Sequence, residues 1–210
     1  MMDCRIVQPD CGFYLEYKLD QPLLDWLWNR IDVARESVKN ELAGNITESL
    51  ALNDEDNKFN SFLQHHIIPN YIKNDQWHDG TTPNQFYLKR LWCNFQNKHE
   101  FNPSHNHTGK WSFVIWMKIP TDWREQHTVF KGVNEPRASD FEFTYTNMFG
   151  EVKHHVYKLD SSMEGTMLFF SSRLFHQVYP FYNCDAERVS ISGNISEINI
   201  IPQSRDHGRT

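Results

Sequence analysis

Residues 104–117 read SHNHTGKWSFVIWM, two histidines one residue apart running into an apolar segment. Side chains on a strand alternate between two faces. Counted by twos from Trp111, one face carries Trp111, Phe113, Ile115 and Met117 and is apolar throughout. The same phase carried back through Gly109 places His107 and His105 on that inward face, provided one strand runs through the glycine. The other face is polar near its start, with Asn106, Thr108, Lys110 and Ser112. Imidazoles at the edge of an apolar core are costly unless they are hydrogen-bonded or hold something. Taken alone, a His-x-His spacing is also what two satisfied rim histidines would show.

Working outward, other strand-like runs follow one another after Gly80: QFYLKRLWCNF, FEFTYTN, VKHHVYKL, TMLFFSS and RVSISGNISEINI. FEFTYTN and VKHHVYKL flank Asn147-Met148-Phe149-Gly150, the signature of a hairpin. Before Gly80 the period is helical. In DQPLLDWLWNRIDVARESVKN, Asp20–Asn40, Asp20 is a cap, Pro22 sits in the first turn, and Leu23, Leu24, Leu27 and Ile31 form one stripe. FNSFLQHHIIPNYI, Phe59–Ile72, carries a second stripe, which Pro69 is expected to kink or end. His65 and His66 are adjacent on that helix and do not share a face, which argues against a joint metal site. The fold class expected is mainly β within α+β, a jelly roll or barrel with N-terminal helices packed on its outside.

A chain of 210 residues, 39% hydrophobic and 14% aromatic, buries one sizeable core. We expect a single domain over residues 1–201, with a helical part about 20–74, a jelly-roll core about 85–201 and a flexible polar tail at 202–210. Net charge is −6, and Lys and Arg form no run that would track a phosphate backbone, so nucleic acid is not an expected partner. The four cysteines, Cys4, Cys11, Cys93 and Cys184, show no C-x-x-C spacing. The first residues, MMDCRIVQPDCGF, lack the basic and apolar regions of a secretion signal. A reduced, cytoplasmic protein is expected. No apolar stretch approaches the roughly 20 residues of a membrane helix, so no membrane association is expected.

In LFFSSRLFHQVYP the two-residue count puts His176 on the face of Leu174 and Val178, a third histidine aimed inward from a distant strand. Three ligands of this kind leave coordination positions open on a metal. In the following ERVSISGNISEINI, Val189, Ile191 and Ile195 are apolar, while Arg188, Ser190, Ser192 and Asn194 share the other face. On an edge strand that second face would simply be solvated. One strand and a return after His176, however, Arg188 can stand beside the metal, its guanidinium offering a fork for a carboxylate and the Ser190 hydroxyl another donor.

At these residues the chain resembles the Fe(II)/2-oxoglutarate-dependent oxygenase superfamily, and within it the branch that writes the usual His-x-Asp as His-x-His. The resemblance spans roughly Trp92 to Asn194 and is carried by LWCNFQNKHEFNPSHNHTGKWSFVIWMKIP, GTMLFFSSRLFHQVYP and ERVSISGN. It implies a double-stranded β-helix, the jelly-roll form of such enzymes. It further implies Fe(II) bound by His105, His107 and His176, and 2-oxoglutarate whose far carboxylate is held by Arg188 and Ser190. Dioxygen takes the last open position, and the implied activity is that of a dioxygenase of hydroxylase type. Asn94, with Trp92, Lys110 and Tyr179, is a candidate for the pocket wall, Asn94 on the cosubstrate side. The chain departs from the superfamily pattern in one respect. No Asp or Glu falls between Glu100 and Asp122, so His107 stands where the carboxylate ligand would be.

Two other readings remain open on sequence. One is a cupin-like three-histidine metalloenzyme without 2-oxoglutarate, zinc chemistry included, although the Glu that usually follows a cupin His-x-His is missing from Thr108–Trp111. The other is a non-catalytic jelly-roll binding module. The substrate expected is a small molecule or a peptidyl side chain. Helices in residues 20–74 either buttress the barrel or offer the surface of a homodimer. Similar chains from bacteria and large phages leave open that the cytoplasm concerned is a viral host's.

Overall fold

Asp20 opens the first helix as its position suggests: its carboxylate accepts from the Leu23 amide at 3.1 Å, and Pro22 occupies the first turn. Helix α1, Gln21–Val33, buries Leu23, Trp26, Leu27 and Ile31. It stops short of Asn40 because the next residues pair with strand β3, Glu48–Ala51: Val38 N donates to Ser49 O at 2.9 Å, and Ala51 N to Glu36 O at 2.8 Å. Tertiary pairing overrides the helical pattern there. The second helical run comprises α2, Lys58–Phe62, a π turn over Leu63–Ile67, and α3, Ile68–Asn74. Pro69 does not end it. The wider π turn just ahead accommodates a residue that has no amide to donate and a ring that crowds the preceding carbonyl.

The computed structural model describes residues 3–7, 12–75 and 85–198; Cys11 and the expected tail at 202–210 lie outside them. The other strands are β1 Asp3–Val7, β2 Tyr14–Lys18, β4 Gln85–Gln96, β5 Asn102–His105, β6 Trp111–Lys118, β7 Phe141–Thr146, β8 Val152–Tyr157, β9 Thr166–Ser171, β10 Phe175–Val178 and β11 Arg188–Ile198. They form a seven-stranded sheet, β1-β2-β9-β6-β11-β4-β3, and a four-stranded sheet, β5-β10-β7-β8, with antiparallel pairing throughout. The two sheets face each other as the double-stranded β-helix requires. Strand β3 comes from the part of the chain expected to be helical, and β1 and β2 from the residues ahead of it, where no element was expected. The β7–β8 hairpin forms as expected, with Asn147 Oδ1 accepting from the Phe149 and Glu151 amides and Gly150 at φ +80°.

The large sheet carries a core on each face. Leu91, Cys93, Phe113, Ile115, Phe169, Val189, Ile191 and Ile195 pack against the buried stripes of the helices, with Phe59 ring to ring on Phe113 at 5.4 Å. The helices therefore buttress the sheet. Between the sheets lie Tyr14, Val114, Trp116, Phe141, Phe143, Leu168 and Phe170. Here the continuous-strand expectation is corrected. Gly109, at φ +105°, lies in a loop between β5 and β6, and those strands belong to different sheets. Trp111, Phe113, Ile115 and Met117 face the helices, and it is Val114 and Trp116 that share the sandwich interior with the site. Among the described residues, no helix is long and apolar enough to cross a membrane.

On β11, Gly193 lies against the Phe113 ring, and a Cβ there would enter that ring and come within 2.7 Å of the Arg90 carbonyl. Gly193→Ala is expected to cost about 1–3 kcal/mol through overpacking, measured by chemical denaturation; an unchanged midpoint would show that the helix face of the sheet is looser than described.

Candidate metal centre and its pocket

Antiparallel pairing of β5 with β10 sets His105 opposite His176. Directly opposed residues point to the same face. His107 reaches the same place from the loop after β5, where its amide donates to Ser172 O at 2.8 Å and the Ser172 hydroxyl donates to Gly109 O at 2.6 Å. The three ring centroids lie 4.4 Å (His105 to His176), 4.9 Å (His105 to His107) and 5.1 Å (His107 to His176) apart. One nitrogen from each ring lies within 4.8 Å of the others. Among the described residues, no carboxylate or thiol joins the set.

Backbone carbonyls orient two of the rings. His105 Nδ1 is 2.7 Å from Pro103 O, and His176 Nδ1 is 3.0 Å from Leu174 O. A carbonyl only accepts, so the proton sits on Nδ1 and the Nε2 lone pair is left for a metal. Burial keeps all three rings neutral. It lowers His105 below its ordinary value, brings His107 to about 4 with help from His105, and brings His176 to about 3 with help from both neighbours. His176 is packed among Phe141, Phe143 and Phe170, which excludes water from its far side. Three neutral imidazoles on one side of a cavity, two of them held by carbonyls, fit a divalent ion with open positions.

The cavity beside them is narrow, about 50 Å³. One wall comes from alternate residues of β4 and β11: Trp92, Asn94 and Gln96 on the first, Arg188, Ser190 and Ser192 on the second. The face of β11 that might have been solvated thus lines the site. Ser190 is paired with Asn94, whose Oδ1 accepts from the Ser49 hydroxyl at 2.8 Å.

Arg188 is only 2% exposed, yet no carboxylate lies within ion-pair distance of it among the described residues. Its Nη2 donates to Ser139 O at 2.9 Å and to Ser139 Oγ, its Nη1 to Gln96 Oε1 at 3.3 Å, and its Nε has no partner. The Phe181 ring covers it at 5.2 Å. Burial lowers its pKa to about 10, and only the more distant charge of Asp140 opposes that. A buried cation with neutral acceptors and a free N–H is an incomplete site, and a bound carboxylate would complete it.

All six residues expected at the site, His105, His107, His176, Arg188, Ser190 and Asn94, line this one cavity. Trp92 does too, its ring 6.1 Å from that of His107. Lys110 does not: its Nζ is 3.8 Å from Glu197. Nor does Tyr179, whose hydroxyl donates to Glu142 at 3.3 Å. Gln96 and Ser192 were missed although they extend the same alternation. Ser139 was missed for want of any signal; it is fully buried at φ +73° in a loop and holds Arg188 through its carbonyl and hydroxyl.

Residues 90–194, half of the chain, match a family described as "Putative 2OG-Fe(II) oxygenase". No curated protein matches the sequence. Similar solved structures include an oxidoreductase of the 2OG-Fe(II) oxygenase family from Burkholderia pseudomallei, 15% identical, over 85% of this chain and 80% of that one, TM-score 0.49. A prolyl-4-hydroxylase from Pseudomonas putida is 12% identical, over 92% and 91%, TM-score 0.48. A prolyl hydroxylase from Trichoplax adhaerens is 12% identical, over 93% and 83%, TM-score 0.49.

Because a buried charge without a counter-ion costs stability, Arg188→Met is expected to unfold within about 1 kcal/mol of the wild type or above it. Thermal unfolding checks this, and a loss of several kcal/mol would mean that the guanidinium serves the fold and not a ligand.

Proposed function

The chain belongs to the 2OG-Fe(II) oxygenase family, and on that premise we propose that it hydroxylates a small-molecule or peptidyl substrate, with His105, His107 and His176 as the iron ligands. Fe(II) is its cofactor, and 2-oxoglutarate and dioxygen are its cosubstrates. Bound iron supplies the redox chemistry, in which 2-oxoglutarate is decarboxylated to succinate and one oxygen atom of dioxygen goes to the substrate. The chain supplies everything around it. Neutral Nε2 atoms of His105 and His176 would be available to the metal, because the Pro103 and Leu174 carbonyls hold the Nδ1 protons. His107 takes the place of the family's usual carboxylate ligand. Residues 1–201 work as one domain in this reading, since the first three strands join the same large sheet as β4, β6 and β11.

Arg188 anchors the far carboxylate of 2-oxoglutarate, with Ser190 and Asn94 beside it on the same wall. On binding, the guanidinium exchanges the neutral oxygens of Ser139 and Gln96 for the carboxylate, a charge-assisted and stronger partner. Three imidazoles alone would equally suit a catalytic zinc. The observation that favours 2-oxoglutarate is the buried Arg188, which has no ion pair among the described residues and lines the same cavity as the histidines.

Lysine keeps the charge of Arg188 but not its fork. Arg188→Lys is therefore expected to weaken 2-oxoglutarate binding roughly 10- to 100-fold, the worth of one charge-assisted hydrogen bond, with metal affinity unchanged. Calorimetry with Mn(II), which binds without oxidation, reads both affinities; equal 2-oxoglutarate affinity in the variant would remove Arg188 from the site.

A further inference from the structure

We propose that the substrate carries an anionic group, a carboxylate or a phosphate, and that Lys89 receives it at the mouth of the metal site; that this anion belongs to a substrate rests on the oxygenase reading. A second cavity, of about 360 Å³, opens outside the first. His105, His107, Leu42 and Ala43 border both, so an occupant of the outer cavity reaches the histidines without crossing the wall of Arg188 and Ser190. Its size suits a small molecule or one side chain. Lys89, Arg90, Glu41, Asn106 and Thr108 complete its lining, together with Asn194.

A bulge puts the lysine there. On β11, Asn194 stands opposite Arg90 and Ile195 opposite Leu88, which leaves Lys89 as an extra residue in β4. In β4, Leu91, Cys93 and Phe95 point to the helices. Unbroken alternation would send Lys89 to that apolar face. With the bulge, Leu88 and Phe86 take over the helix side instead, and the consecutive Lys89 and Arg90 both turn to the cavity. The carbonyl of Ile195, at the same irregularity, accepts from Lys110 N at 2.8 Å and ties down the loop that carries His107.

Of the two cations, Arg90 is paired with Glu41. Lys89 has no carboxylate partner among the described residues. An uncompensated cation beside a concave opening selects for anions. Asn106 and Thr108, flanking His107 in sequence, add an amide and a hydroxyl to the same lining.

The test titrates inorganic phosphate and, separately, acetate into the protein loaded with Mn(II) and 2-oxoglutarate, following ³¹P and ¹³C relaxation by the metal. At least one anion is expected to show saturable enhancement, about tenfold weaker or worse in Lys89→Met and restored in Lys89→Arg. Mn(II) and 2-oxoglutarate affinities should be equal in all three proteins. Response to acetate alone assigns a carboxylate, and to phosphate alone a phosphate ester. No saturable enhancement with either anion, or the same affinity in Lys89→Met, would overturn the proposal. Anion binding that depends on Lys89 in a protein that fails to bind 2-oxoglutarate would leave the Lys89 site standing and unseat the oxygenase reading instead.

Discussion

The pairing of β5 with β10 is the constraint on which the site depends. It sets His105 opposite His176 at the edge of the smaller sheet, and the loop that follows needs only a few residues to bring His107 beside them. That loop is tied at both ends, by Ser172 on one side and by the Ile195 carbonyl on the other. Backbone carbonyls then fix which nitrogen of His105 and of His176 is free. The arrangement is set before any metal arrives, which reduces the ordering cost of binding one.

Arg188 presents the opposite situation, an interaction left incomplete. A guanidinium enclosed by Phe181, Ser139 and Gln96 carries a desolvation cost that neutral oxygens do not repay. Such a residue is tolerated where a ligand supplies the missing charge. The helices on the far side of the large sheet make this affordable, since Phe59, Trp26 and Tyr71 join a separate core that holds β4 and β11 in register whatever happens in the cavity. The helix-side core and the cavity thus lie on opposite faces of one sheet.

How much of this was legible in the sequence depended on whether a strand stayed regular. Along β11 it did, and the two-residue alternation placed Arg188 and Ser190 on the cavity face and Val189 and Ile191 on the helix face. The same count placed His176 correctly on β10. His105 and His107 do come together as the count suggests, but by another route: the glycine breaks the strand, and the loop brings the histidines to the face of Val114 and Trp116. Bulges are the general obstacle, because one extra residue inverts the face of everything beyond it. Lys89 is such a case, since unbroken alternation would send it to the helix face and not to the cavity. The N-terminal strands were hidden differently, being five residues or fewer and stabilised by distant partners on β9 and β4. Ser139 had no legible signal at all, since its role comes from a loop held by distant residues, its amide donating to Pro180 O at 2.8 Å.

In the function proposed, three histidines and one buried arginine form a single site for iron and 2-oxoglutarate. An anaerobic titration of the purified protein with Fe(II) and then 2-oxoglutarate tests it most directly, through the visible metal-to-ligand charge-transfer band of the chelate, with His107→Ala in parallel. The band is expected in the wild type, and its loss or marked weakening in the variant. Iron binding without the band would contradict the cosubstrate assignment, and an equal band in His107→Ala would contradict the three-histidine ligand set.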